Sequence, residues 1–256
     1  MENTNIKNII RGARSENKMN THHFVNELFP TFFELHGDRV AGDDAAIISG
    51  FSILADLTVA VIATNKGADL QERIVSKFGC PSPSGYRKAL RAMKISEQLH
   101  IPILTFLNTS GAYPGAEAEK EGQGQVISKC ISKMIGLQVP ILTIIVGEAG
   151  SGGALALACS DEIWMFEHSM YTVLSPEGFS SIMWKSSKRI DDAAEKMHIE
   201  PNWLKDRGVV ERILPEKYLD GNLKELKFII GKKIKELNNI PQDKLLKKRQ
   251  ERFRKF

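Results

Sequence analysis

Apolar positions change period several times along the 256-residue chain. Phe24, Val25, Leu28, Phe32 and Leu35 recur at helical spacing, with Thr21 placed to cap the segment and Pro30 to kink or split it. Residues 1–20 ahead of them are polar and weakly patterned. Residues 46–54 and 57–64 are β-rich runs parted only by Ala55 and Asp56, which predicts a hairpin. A loop punctuated by Lys66, Gly67, Gly79 and Gly85 then leads into an alternation of helix and buried strand. The pattern gives a helix over 86–99, a strand over 103–107, a helix reaching Met134, and a strand over 141–146. Beyond these come a small-residue helix from Ser151, strands over 162–166 and 171–174, helices over 177–184 and 190–197, and a strand over 208–214. Leu223, Leu226, Ile230, Ile234 and Leu237 form a last apolar stripe before Pro241 and a basic helix. Such alternation is α/β punctuation. Ile127, Cys130, Ile131 and Met134 follow the helical period and belong to the core by that pattern.

Length places the chain at the upper end of what one hydrophobic core organises, so a single domain with terminal appendages is expected. An apolar fraction of 42% and a charged fraction of 26% exclude collagen-like and disordered classes. Cys80, Cys130 and Cys159 show no paired spacing and no histidine partner, so neither a disulfide framework nor a structural zinc is expected. The odd cysteine count, and no basic-then-apolar leader after Met1, point to the reducing cytoplasm. No apolar run approaches bilayer-spanning length, so no membrane association is expected. The net charge of +4 is a tail property: 224–256 holds 12 Lys/Arg against 4 Asp/Glu, or +8, leaving −4 elsewhere. A solvated helix face explains that basicity without nucleic acid.

Two glycine-rich segments each follow a buried strand and precede a helix: Asn108-Thr109-Ser110-Gly111-Ala112-Tyr113-Pro114-Gly115 and Gly147-Glu148-Ala149-Gly150-Ser151-Gly152-Gly153-Ala154. Strand ends are where α/β proteins bind ligands. Without Cβ atoms, Gly152 and Gly153 let backbone N–H groups approach a ligand oxygen at a helix start, as an oxyanion hole requires. Equally, small residues over 150–158 permit close helix–strand packing with no ligand at all. Neither nucleotide-loop motif is present. Ala149-Gly150-Ser151-Gly152-Gly153 nearly matches a nucleophile elbow, with Ala at the first glycine. A nucleophilic Ser151 would need His168 or His198 as base, and no spacing singles either out, so Ser151 is expected to cap the helix. His22, His23, His36 and His100 lie at helix starts or element ends and suggest no metal site.

Three stretches are specific in combination: Glu34-Leu35-His36-Gly37-Asp38-Arg39, Gly85-Tyr86-Arg87-Lys88-Ala89-Leu90-Arg91, and Gly111-Ala112-Tyr113-Pro114-Gly115 followed by Ala118-Glu119 and Gly122-Gln123. With the run from Gly150 to Leu155 and Leu174-Ser175-Pro176-Glu177-Gly178, the chain resembles the α subunits of bacterial acetyl-CoA carboxylase carboxyltransferase, and its Arg252-Phe253-Arg254 ending resembles the shorter Gram-positive members. The resemblance implies a crotonase-like (ClpP/crotonase) α/β fold, a spiral of ββα units with terminal helices. It makes 1–256 one carboxyltransferase domain, with an N-terminal arm over 1–20 and basic C-terminal helices over 222–256. It implies transfer of a carboxyl group from carboxybiotin, carried on the biotin carboxyl carrier protein, to acetyl-CoA, giving malonyl-CoA for fatty acid biosynthesis. The partners it implies are a zinc-ribbon-bearing β subunit in an α2β2 assembly, the carrier protein and biotin carboxylase. No covalently bound cofactor and no metal are implied for this chain.

By the same resemblance Gly152 and Gly153 face the biotin ureido oxygen, and Gly111, Ala112, Gly150 and Ser151 contact biotin or substrate. The chain departs from the family pattern at Ala68, where a basic residue is usual, at Ala149 in place of glycine, and at Lys120 and Glu121. A diverged, non-catalytic partner subunit, or a serine hydrolase on the same fold, are the competing readings.

Overall fold

The computed structural model describes residues 6–18, 20–219, 221 and 223–255. Helix α1 (Ile6–Ala13) arises in the stretch that looked weakly patterned. Its Ile9 and Ala13 pack on Met170, Ala194 and Ile199, a contact too distant in sequence to show in a local period. Helix α2 (Thr21–Leu28) is capped by Asn20, whose Oδ1 accepts from His23 N–H at 3.0 Å; Thr21, expected as the cap, instead donates its hydroxyl to Thr64 O at 3.0 Å. The helix stops at Leu28 and does not run on to Leu35. Pro30 disfavours helical geometry in the residue before it, and β1 (Phe33–Glu34) then pairs antiparallel with Phe51 and Gly50.

Strands β2 (Ile47–Leu54) and β3 (Leu57–Thr64) form the expected hairpin, closed at the Leu54–Leu57 pair. Ala55 and Asp56 both take positive φ (50° and 67°), the backbone twist that suits two-residue hairpins. A short helix α3 (Leu70–Val75) fills the glycine-punctuated loop, its start capped by Asp69. Helix α4 (Pro83–Gln98) starts three residues earlier than expected because Pro83 suits a first helical position. Strand β4 (Ile103–Thr109) precedes α5 (Ala116–Lys120) and α6 (Gln123–Gly136), two helices broken at Gly122, which takes φ +84°.

Strand β5 (Ile141–Gly150) is buried along all ten residues. It runs through Gly147–Gly150, which the sequence assigned to a loop, because its far end gains a second neighbour. After α7 (Ser151–Leu155) and β6 (Glu162–Phe166), β7 (Met170–Thr172) pairs in parallel with Glu148, Ala149 and Gly150. Helices α8 (Pro176–Trp184), α9 (Ile190–Met197) and α10 (Pro201–Asp206) follow, the last unpredicted. Strand β8 (Arg212–Leu214) is shorter than the 208–214 expected, and β7 sits slightly ahead of 171–174. Helices α11 (Leu223–Asn238) and α12 (Gln242–Phe253) end the described chain.

The strands make one mixed sheet in the order β1-β2-β3-β4-β5-β6-β8, with β7 attached to β5. Pairing is antiparallel from β1 to β3 and parallel from β3 onward. Alternate side chains feed two cores. Ile47, Ile62 and Ile145 meet Tyr86, Met93, Cys130 and Met134 of α4 and α6, while Ile48, Val61 and Ile144 meet Val25 and Leu28 of α2 and Leu226, Ile230 and Ile234 of α11. Cys130 and Met134 are buried as expected, and Ile127 and Ile131 pack at the edge of the same core.

The basic end contains a structural anchor. Arg249, 1% exposed, donates to the carbonyls of Met134, Leu137 and Val139 (2.9, 2.6 and 2.7 Å) and forks onto both oxygens of Asp161 (2.9 and 2.7 Å). No helix among the described residues is long and apolar enough to cross a membrane.

Candidate active site

Parallel strands β4 and β5 end side by side, which brings Ser110, Gly111 and Ala112 against Gly150 and Gly153. The Thr109 hydroxyl closes the first turn, accepting Gly111 N–H (3.0 Å) and donating to Gly111 O (2.9 Å). Gly111 has φ +142°, a conformation that needs glycine. A Cβ on Gly150 would lie 2.1 Å from Ser110 O, and one on Gly153 would lie 2.3 Å from Ala112 N, 2.7 Å from Tyr86 Oη and 2.8 Å from Gly111 C. Those two glycines are explained by backbone meeting backbone. Gly152 differs: its Cβ would meet only Ile127 Cγ2, at 3.8 Å. The two explanations open in the sequence therefore separate by position, close packing at 150 and 153 and unfilled space at 152.

Ser151 is exposed and does not cap α7; the N-cap is Gly150, which offers no side-chain hydrogen bond to the first-turn amides. Ser151 has φ +57°, and this left-handed residue turns the strand into the helix. First-turn amides lack intrahelical acceptors, which at α7 concerns Ser151, Gly152 and Gly153. The two histidines considered as a base are engaged elsewhere. His168 Nδ1 lies 4.0 Å from Glu216, and His198 stacks on Trp203 with centroids 4.5 Å apart. No cluster among the described residues has the makings of a metal site.

Behind the glycines runs an ionic chain, buried at Lys66 and Glu148 and half-buried at Arg14 and Glu177. Lys66 Nζ and Arg14 Nε grip the two carboxylate oxygens of Glu148, Arg14 at 2.8 Å, and Arg14 continues onto Glu177 of α8 at 2.7 and 3.2 Å. Burial would push Glu148 up, but the charges of Lys66 and Arg14 outweigh it and hold the carboxyl below its usual range. Asn108 joins this layer, accepting Glu148 N–H (3.1 Å) and donating to Lys18 O (2.8 Å).

The recognisable motifs form the scaffold around this point. Asp38 Oδ1 gathers the N–H groups of Val40, Ala41 and Gly42 (2.8, 2.8 and 3.0 Å), and its Oδ2 accepts from Arg87 Nε at 2.6 Å. Buried Lys88 donates to Ile47 O at 2.8 Å and pairs with Asp43 at 2.9 Å. Together they fix α4, and α4 carries Tyr86 to Gly153. Gln123 Nε2 donates to Pro81 O (2.9 Å) and Tyr113 O (3.3 Å), tying α6 to the loop after Gly111. Tyr86 Oη and Gln123 Oε1 are buried with no hydrogen-bond partner. Burial, reinforced by neighbouring Cys130, raises the Tyr86 hydroxyl far above its usual range, so it stays neutral. Tyr86, Gln123, Lys66 and Glu148 stand in sequence motifs whose spacing assigns them no role; aromatic, polar or charged residues inside glycine-punctuated runs are the available signal.

The family model described as acetyl co-enzyme A carboxylase carboxyltransferase-like matches residues 2–256. A Streptococcus uberis protein named acetyl-coenzyme A carboxylase carboxyl transferase subunit alpha is 46% identical over 255 residues, covering 99% of this chain and all of the relative. A Streptococcus pyogenes protein of the same name is 47% identical over the same span. Among solved structures, transcarboxylase 12S superposes with a TM-score of 0.69 at 16% identity over 86% of this chain and 42% of the other. The Pseudomonas aeruginosa geranyl-CoA carboxylase beta subunit gives 0.67 at 17% identity over 88% and 44%. The chain thus spans less than half of each of those structures, and at such identity they speak for the fold, which is crotonase-like as expected. By the whole-length match of its sequence, the chain belongs to the acetyl co-enzyme A carboxylase carboxyltransferase-like family.

Proposed function

We propose that the chain is the α-type half of an acetyl-CoA carboxylase carboxyltransferase, moving a carboxyl group from carboxybiotin on a carrier protein to acetyl-CoA. The observation that carries this reading is convergence: Gly111, Ala112, Tyr86, Gly150 and Gly153, drawn from separate family motifs, meet at one pair of strand ends, with Ser151 and Gly152 beside them in the chain. In the reaction, the N–CO2 bond of carboxybiotin breaks and leaves a ureido anion with CO2. The anion takes a methyl proton from acetyl-CoA, and the resulting enolate carbon bonds to CO2, giving malonyl-CoA. The substrate's own nitrogen is the base, which fits a site whose serine has no histidine beside it.

The protein's part is electrostatic. Amides at Gly152 and Gly153 face the ureido oxygen, with Gly111, Ala112, Gly150 and Ser151 framing the ring. Each donor aimed at developing negative charge contributes about 3 to 4 kcal/mol, by analogy with other oxyanion holes. The enolate needs a second set of donors, assigned here to a zinc-ribbon-bearing β subunit in an α2β2 assembly. Biotin carboxylase and the carrier protein complete the cytoplasmic system, and no metal or covalent cofactor is assigned to this chain. The test is reconstitution with free carboxybiotin: no malonyl-CoA from the isolated chain, and turnover on adding the β subunit. Malonyl-CoA from this chain alone refutes the shared site, and an inactive but assembled pair favours a non-catalytic partner subunit.

A further inference from the structure

On the solvent side of α4 and α6 lies a groove of about 400 Å³, also lined by Asp38, Arg39 and Val40. Arg87, Leu90, Arg91 and Lys94 form one stripe of α4, and Gln125, Val126 and Lys129 one stripe of α6. The lining holds five cations, Arg39, Arg87, Arg91, Lys94 and Lys129, against the two anions Asp38 and Glu121. Asp38 is already committed to Arg87 and to three backbone N–H groups. Arg91 is the anomaly: its Nε and Nη1 are buried with no hydrogen-bond partner. Folded proteins rarely leave charged donors so, and burial together with the charge of Arg39 disfavours the guanidinium's charged form.

An anion against the groove face of the Arg91 guanidinium would offset the crowded positive charge of Arg39 and Arg91. We propose that this groove binds the phosphate groups of a phosphate-ester or diphosphate ligand, held by the Arg91 guanidinium and surrounded by Arg39, Lys94 and Lys129. The concave shape and the recessed guanidinium suit a small tetrahedral oxyanion better than the carboxylates of a protein surface, which would reach only the rim. The two helices that form the groove also carry neighbours of the candidate site on their inner faces. Arg91 lies five residues along α4 from Tyr86, about 7.5 Å at 1.5 Å per residue, and Lys129 is two residues beyond Ile127, the neighbour of Gly152. Two sources share this chemistry. One is the phosphates of the acyl-CoA substrate, which rests on the function proposed above; the other is a free phosphate compound acting on the subunit.

The experiment is calorimetric titration of the full chain with pyrophosphate and, separately, with coenzyme A, at low and high salt. Saturable binding that weakens with salt is expected, and Arg91→Gln, shown folded by circular dichroism, should bind about tenfold more weakly or worse, the loss of one charge-assisted contact. Arg91→Lys, which keeps the charge without the fork, should fall between them. Absence of saturable binding at millimolar ligand, equal affinity in Arg91→Gln, or binding of polyglutamate but of neither phosphate ligand would each overturn the proposal. Tighter binding of coenzyme A than pyrophosphate, with a raised KM for acetyl-CoA in the reconstituted Arg91→Gln pair, supports the substrate as source. Tight pyrophosphate binding with KM unchanged supports a free phosphate compound. Binding is read without turnover, so a pair that makes no malonyl-CoA refutes the proposed function and leaves the anion site standing.

Discussion

Gly152 and Gly153 are adjacent, chemically identical and, on the geometry, opposite in what a methyl group would do. At Gly153 the added Cβ would sit 2.3 Å from Ala112 N and 2.8 Å from Gly111 C, both backbone atoms that cannot swing aside. Relief requires the β4 and β5 ends to part. Overpacking costs typically reach about 3 kcal/mol, and for a chain of this size that lowers Tm by about 6–12 °C. At Gly152 the nearest atom is Ile127 Cγ2 at 3.8 Å, an ordinary contact, and the residue does not take positive φ. Alanine there should be neutral or stabilise by about 0.5–1 kcal/mol, since glycine carries the larger unfolded-state entropy. If the ureido oxygen occupies the space beside Gly152, the same methyl displaces it, and a displacement near 1 Å costs about 10²-fold in turnover. The pair of variants thus separates stability from activity: Gly153→Ala loses Tm, Gly152→Ala keeps Tm and loses turnover. Thermal unfolding of each chain and malonyl-CoA formation by each reconstituted pair give the answer. A Gly153→Ala chain as stable as the parent would refute the close approach, and a fully active Gly152→Ala pair would refute the oxyanion role.

Two further outcomes follow from buried charge. Arg249→Ala should destabilise by about 3–5 kcal/mol, because it strands the buried Asp161 carboxylate without its cation; urea unfolding checks this, and a loss below about 1 kcal/mol would make the fork incidental. Burial alone would raise the Asp38 pKa, but N–H donation from Gly42 and the Arg87 pair hold it well below the usual carboxylate range. Its stabilisation is therefore complete above the unfolded value and lost as pH falls through the folded one. Asp38→Asn should be less stable at neutral pH but decline less steeply below about pH 4, read as urea midpoints against pH, and parallel curves would contradict it.

What was legible in the sequence was whatever local period encodes. The β2–β3 hairpin, the α6 core face and the α11 stripe came from spacing alone, because each buries a face whose members lie within two or three turns or alternate along a strand. Elements decided by distant contacts did not show. Helix α1 is ordered by Met170 and Ile199, and the end of β5 by β7, neither visible to a local window. Thr21 and Asn20 are both good caps by type, and only the Thr21–Thr64 contact determines which of them caps. Among the site residues, the glycine runs were legible, yet nothing in the letters separates Gly152 from Gly153. That distinction depends on the register of two parallel strands, which brings Gly111 and Ala112 to one glycine and not to the other.

The departures from the family pattern can be weighed by where they fall. Ala149 is fully buried in β5, opposite Tyr171 of β7 and Thr109 of β4, a strand position where a methyl group packs normally. Lys120 and Glu121 are exposed at the end of α5. Ala68 is exposed, and its N–H donates to Glu72 Oε2 at 2.8 Å ahead of α3, so a lost basic side chain there changes surface charge and leaves the backbone in place. Meanwhile Lys66, two residues before Ala68, is buried and bound to Glu148, itself two residues before Gly150. A subunit that had drifted away from catalysis but kept the fold would still need the φ +142° turn at Gly111 and the backbone contacts of Gly150 and Gly153, and would be free to change Gly152, beside which there is open space. Of these, Gly111, Gly150 and Gly153 are required by packing and argue for the fold alone. Gly152 is the one residue among them that packing does not require, so its retention is the feature of this chain that argues for a ligand at α7 over a subunit kept only for assembly.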